Sequence, residues 1–326
     1  MATHKKNILR NHINTRHTST APPPQKMNNQ KKINWADILC HFEIHWGTLA
    51  QNPDAISIIE YGLTPYGSKK FKRGDKYWLF RNPNAVHLLD GIVQEKWNDD
   101  AIVDWWGLST NPNAMTIIEK HMDKVDWGGL SRNPNAIHLL EKNQDKINWD
   151  GLSTNPNAIH LLEKNLDKVS WYYLSRNPNA ISIIEQHLDD VDWGGVSCNP
   201  NAIHIIENNL DKVYWKMLSG NPNAVHILEK NLNKISWQGF SENPNAIPVL
   251  EQNMKNVNWS GLSRNPNAIH ILKNNQSKVD WFSLSANPKV VDLLMYFGEV
   301  KERDFLMLAK QFSNSSSFVD FYRSEH

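Results

Sequence analysis

Apolar residues fall at fixed places along most of this chain. From Asn155 they occupy Ala158, Ile159, Leu161, Leu162 and Leu166, then Trp171 and Leu174, before an Asn-Pro pair restarts the series at Asn177. The first group makes a broad stripe on one side of a helix and lacks the alternation of a strand. Trp171 and Leu174, three apart, predict a second and shorter helix. The Asn-Pro pair recurs at Asn111, Asn133, Asn155, Asn177, Asn199, Asn221, Asn243, Asn265 and Asn287, always 22 residues apart, which makes eight units without insertion. A period of this length marks a stacked array.

Numbering the unit from its Asn assigns each place a task. Pro at position 2 has no N–H to lose and a pre-set φ, and Asn before it is a favoured N-cap, so helix A starts here. Pro also drives the preceding residue out of the α region, which ends the helix before it. Asn165, at position 11, is expected to close helix A in the left-handed conformation. Position 16 is Asp126, Asn148, Ser170, Asp192, Tyr214, Ser236, Asn258 and Asp280 in turn, and seven of these eight are good caps for helix B. Helix B holds only Trp-x-x-Leu-Ser, and Gly128-Gly129 and Gly194-Gly195 weaken it, so it is expected to be short, α or 3₁₀. The predicted fold is an all-α solenoid of 22-residue repeats, each one longer helix plus one short helix. About ten units stacked at 9 to 10 Å predict an elongated body about 90 to 100 Å long if uncurved.

The ends depart from the pattern. Residues 1–31 are non-periodic and include Ala21-Pro22-Pro23-Pro24, which reads as a disordered basic tail. The array runs over 32–294, with degenerate units to 110 and regular ones over 111–286, and a helical cap over 295–326. Terminal units are expected to be atypical because one face lacks a neighbour. Two early units carry insertions after helix A, and the first contains the basic run Lys69, Lys70, Lys72 and Arg73, a candidate anion-binding loop.

Charge adds an asymmetry to this picture. Residues 1–32 hold seven Lys or Arg and no acid; the 35 basic residues less those seven leave 28 against 34 acidic residues elsewhere. An acidic body argues against a nucleic-acid groove along the whole array, so nucleic acid is expected only at the tail and the 69–73 loop. Cys40 and Cys198 are too few for a disulfide framework, which favours an intracellular setting. No apolar run is long enough for a membrane span.

Candidate chemistry is sparse. His87, His138, His160, His204, His226 and His270 share position 6, but equivalent places on stacked helices are too far apart to share a metal ion, and no carboxylate recurs beside them in the sequence. Glu at position 9 and Asp at position 13 repeat in unit after unit, as a solvated face does and a catalytic pair does not. No phosphate loop, nucleophile elbow or Cys-x-x-Cys is present. No enzyme, cofactor or metal is expected. Trp at position 17 is expected in the core beside Leu at position 20. The variable places around it are the candidate partner-binding residues: Trp106, Tyr172, Tyr173, Tyr214, Lys216, Met217 and Phe282, because aromatic residues on a repeat surface anchor partners.

The pattern of Trp127 to Glu141 and of Trp149 to Glu163 resembles uncharacterised tandem-repeat proteins of giant DNA viruses related to mimivirus, over roughly residues 33–294. The resemblance implies a viral origin and a repeat scaffold acting in the host cell or in the virion, and brings no catalytic residue or ligand. Its Asn-Pro-Asn helix starts are also similar to the leucine-rich repeat variant, which alternates α and 3₁₀ helices. The expected function is a non-enzymatic, monomeric scaffold for a host or viral protein. The alternatives are a nucleic-acid binder and a structural virion component.

Overall fold

The computed structural model describes residues 38, 39, 42, 44–64, 73–89 and 103–299. Among them every regular element is helical. In a regular unit the Asn-Pro-Asn-Ala segment forms a tight turn, which is 3₁₀ at Pro53–Ala55, Pro83–Ala85 and Pro222–Ala224. The α-helix proper then begins at position 5, as in Ile159–Glu163 and Ile181–Gln186, and turns carry the A arm on to about position 14. Helix B is α in the regular units, from Trp171–Leu174 to Trp193–Cys198 in length, and 3₁₀ at Trp78–Arg81. Position 11 closes helix A differently from expectation. Asn143 has φ −133° and not a left-handed value, and its side-chain amide donates to the Leu139 carbonyl at 2.9 Å.

The Asn at position 1 does more than punctuate. Asn155 is fully buried. Its Oδ1 accepts the Asn157 N–H at 3.0 Å, while Nδ2 donates to the carbonyls of Ser131 at 3.1 Å and Asn133 at 2.9 Å, which flank the start of the preceding unit. One amide thus satisfies two buried carbonyls and one partly buried N–H. Ser at position 21 supplies a second link: Ser131 Oγ donates to the Trp127 carbonyl and accepts the Asn148 N–H of the next unit. Among the described residues, no buried side-chain N or O atom lacks a partner.

This ladder has no free end. Eleven Asn residues from Asn52 to Asn287 each donate Nδ2 to the unit before, and for Asn52 the unit before is the last one in the chain. Asn52 Nδ2 reaches the carbonyls of Ser285 at 3.1 Å and Asn287 at 2.9 Å, and the His45 N–H donates to Ser285 Oγ at 2.9 Å, repeating both links of an internal joint. Phe42 lies 4.5 Å from the Trp281 ring and 6.3 Å from Phe297. The A arm that starts at Asn287 is therefore completed by helix B at Trp46–Gln51, and one unit of the eleven is built from both ends of the chain.

The array is a closed ring, which corrects the elongated body expected from the period. Eleven units at about 8 to 10 Å give a mean diameter of about 28 to 35 Å. The helix over 290–299 runs across the boundary expected at 294/295, and its apolar residues Leu293, Leu294 and Phe297 are buried in the shared unit, where a terminal cap with one open face was expected.

Two further expectations change. The core consists of positions 4, 7, 8 and 20, such as Ala158, Leu161, Leu162 and Leu174, and the Trp residues from Trp105 to Trp281 pack beside it only partly buried. Lysines of the following unit cover several of them: Lys168 over Trp149 at 5.0 Å, Lys212 over Trp193 at 5.1 Å and Lys234 over Trp215 at 4.6 Å. Gly at position 19, read from the sequence as a weakness, is what lets neighbouring B helices meet. A Cβ at Gly129 would sit 2.6 Å from the Trp106 carbonyl oxygen and one at Gly261 2.5 Å from that of Gln238. Where position 19 is Tyr173, Met217 or Ser283, helix B shortens to four residues. Gly261→Ala is expected to cost about 1 to 3 kcal/mol in thermal or urea unfolding. Gly220→Ala, whose Cβ would meet nothing closer than 3.9 Å, should change little.

Candidate partner-binding face

Helix geometry decides which residues the ring leaves free. Leu at position 20 points into the core, and positions 18 and 22, two residues either side of it, lie about 160° away around the helix. They are neighbours of each other at i, i+4. Burial agrees: Trp106, Tyr172, Lys216 and Phe282 at position 18 are exposed. B helices touch through backbone, as the glycine distances show, whereas the helices of the A arms are bridged by long side chains. In a closed ring the more tightly spaced layer has the smaller radius, so the B helices line the inside. Their exposed face is concave. Eleven B helices about 8 Å apart place their axes on a circle about 28 Å across, and subtracting a helix width of about 10 to 12 Å, side chains included, leaves an opening of about 16 to 18 Å.

The bridges on the outer layer are the repeated histidines. His160 Nε2 lies 3.0 Å from Glu141 Oε1, His204 2.6 Å from Glu185, His226 2.9 Å from Glu207 and His270 2.7 Å from Glu251. A carboxylate therefore does stand beside each His, contrary to the sequence reading. It comes from position 9 of the preceding unit, 19 residues back in the chain and 27 back for His87, where a search along one helix does not find it. Both partners remain about half exposed, so each pair contributes little to stability.

On the concave side the candidate residues form separate clusters. Trp106 stacks under the Arg81 guanidinium at 4.6 Å, which also covers Trp78 at 4.6 Å, and Arg81 pairs with Asp104 at 3.3 Å. Tyr172 and Tyr173 meet edge to face at 5.1 Å. Arg176 lies 3.9 Å over Tyr172 and pairs with Asp192 at 2.9 Å. Arg132 reaches Tyr173 at 5.3 Å across the intervening helix, where Gly151 leaves room. Tyr214, Lys216 and Met217 stand on a helix two further along, all exposed; Tyr214 holds the N-cap position without a side-chain capping bond and the other two follow it. Helix Trp193–Cys198, with buried Gly194 and Gly195, separates them from Tyr172. Phe282 sits at the seam, 4.4 Å from His45, in a hollow shared with Ile44, Asp280 and Trp281.

Arg81, Arg132 and Arg176 were missed in the sequence, although a basic residue at position 22, four after an aromatic or small residue at position 18, is a readable signal. Cys198 shares position 22. Burial pushes its thiol pKa up, against a smaller downward pull from Arg176, so it stays protonated near neutral pH and is a weak nucleophile. Lys69, Lys70 and Lys72 lie outside the described residues. Arg73 begins helix Arg73–Tyr77, and its side chain is likewise outside them. No described helix is long and apolar enough to cross a membrane. No protein-family model, curated protein or solved structure matches this chain.

Proposed function

We propose that this protein is a non-enzymatic ring scaffold whose concave face binds a protein partner. One observation carries the reading: residues that recur in every unit build the ring, and residues that vary between units collect on the face the core does not use. Asn at position 1, Ser at position 21 of the regular units and the apolar residue at position 20 are buried, whereas Trp106, Tyr172, Lys216 and Met217 are exposed. Exposed aromatic and thioether side chains are poor choices for a face that meets only water, and good ones for a contact. The sequence pattern, similar to giant-virus repeat proteins, suggests a host or viral partner inside an infected cell. A structural place in the virion would use the same face.

The test is affinity for the partner recovered by capture from infected cells. Tyr172→Ala with Met217→Ala is expected to weaken binding by at least about 2 kcal/mol with nearly unchanged melting. His160→Ala with His204→Ala on the outer layer should leave binding intact. Equal affinity for the Tyr172/Met217 variant and the wild type would sink the reading. Salt-sensitive oligonucleotide binding lost on deleting residues 1–32 would favour the nucleic-acid alternative.

A further inference from the structure

The two faces of the ring arrange their charges differently. On the outer layer both signs are exposed side by side, as in Glu141 with Lys142 and Asp145 with Lys146. Positions 18 and 22 of the B helices carry instead Arg81, Arg132, Arg176, Lys216 and Arg264, against Asp150 and Glu242. Arg81 and Arg176 are already held by Asp104 and Asp192. Among the described residues, Arg132, Lys216 and Arg264 have no carboxylate within ion-pair distance. The concave face thus offers a few uncompensated cations between aromatic ridges. Beside Trp106 the half-exposed Gly128 leaves an opening, with only Asp126 Oδ1 within 4 Å of where a Cβ would lie. Next to Lys216, exposed Gly220 leaves the ammonium stem uncovered.

We propose that this face, on the scaffold reading given above, takes an extended peptide segment in which carboxylates alternate with aromatic or aliphatic side chains. Side chains on one face of an extended peptide recur about every 7 Å. The B helices are about 8 Å apart at their axes, and closer where they face the ring centre. Trp106, Arg132, Tyr172 and Lys216 stand on helices spread over about 160° of the ring, so the extended peptide crosses the opening and turns alternate side chains to opposite sides of it. Carboxylates pair with Arg132 and Lys216, and the apolar residues lie against Trp106, Tyr172 and Met217. A single-stranded nucleic acid also stacks on aromatic side chains and arginines, but it carries a phosphate at every nucleotide. Three uncompensated cations spread round the ring, with Asp150 and Glu242 between them, leave most of those phosphates unpaired.

Selection of a random dodecapeptide library on phage against the full chain tests the proposal. Enriched peptides are expected to combine Asp or Glu with Phe, Trp or Leu. Synthetic copies should lose at least about tenfold in affinity to the Arg132→Glu/Lys216→Glu chain, weaken at raised salt, and fail to bind when their acids become lysines. Should the double reversal unfold the ring, Lys216→Ala, at an exposed position, is the second variant, with an expected loss of about threefold or more. No enrichment, enrichment of basic peptides, affinity indifferent to these variants, or tighter binding of a deoxythymidine dodecamer at about 0.15 M salt would each overturn the proposal. A captured partner that depends on Tyr172 and Met217 but docks through a neutral or basic segment would overturn it while leaving the scaffold reading in place.

Discussion

A chain carrying Ile38→Cys and Gly298→Cys, with Cys40 and Cys198 replaced by serine, is expected to oxidise to a single intramolecular disulfide. A Cβ built at Gly298 lies 3.7 Å from the Ile38 Cβ, inside the range that a disulfide spans. These residues are near neighbours only because the ring closes; in an elongated array they would sit at opposite ends. The cross-link closes a loop covering nearly the whole described chain. The chain-entropy account then gives a stabilisation of about 5 kcal/mol, as an upper figure. Non-reducing electrophoresis reads the bond and urea unfolding with and without reductant reads the stabilisation. Free thiols after equilibration with a glutathione redox buffer would show that the ends do not meet.

Asn52→Ala should be as damaging as Asn155→Ala. Each substitution removes two donated hydrogen bonds and one accepted one at a buried site: Asn52 leaves the carbonyls of Ser285 and Asn287 and the N–H of Asp54 without partners, and Asn155 does the same to Ser131, Asn133 and Asn157. Unsatisfied buried groups cost about 1 to 3 kcal/mol apiece, and relaxation recovers part of that, so the expected loss is about 3 to 5 kcal/mol for each. In an open array Asn52 would belong to a first unit with no predecessor, and its removal would cost only a helix cap, about 1 kcal/mol. The comparison of two melting curves therefore tests closure without any engineered bond. A mild Asn52 variant beside a severe Asn155 variant would sink it.

Closure also accounts for the irregular ends of the sequence. A stacked array normally needs end units with a polar outer face, yet Phe42, Trp46, Leu293, Leu294 and Phe297 are buried apolar residues. They are apolar because each end covers the other. His45 replaces the usual Asp or Asn before the Trp and still caps its helix, with Nδ1 accepting the Thr48 N–H at 3.1 Å. Its backbone N–H makes the inter-unit bond to Ser285 that any residue type at that position can make.

Local chemistry determined much of this protein by itself. The 22-residue period, the breaks at Asn-Pro, the existence and placing of both helices, and the variable positions around Trp are all consequences of backbone and side-chain preferences that act within one unit. Asp126 and Asp192 cap helix B at Gly129 and Gly195 as their places in the sequence imply. What only the tertiary structure decided involves residues one or more units apart. The amide of Asn155 finds carbonyls that flank the start of the preceding unit, the partner of His160 lies 19 residues back, and Trp193 is partly covered by a lysine of the next unit instead of being sealed in the core. Closure is the furthest of these from local reading. It requires that a rotation of about 33° per unit, repeated over eleven units, sum to one full turn. That rotation is set by how closely glycine lets B helices approach compared with the wider spacing of the A arms, a difference between two interfaces that no single unit contains.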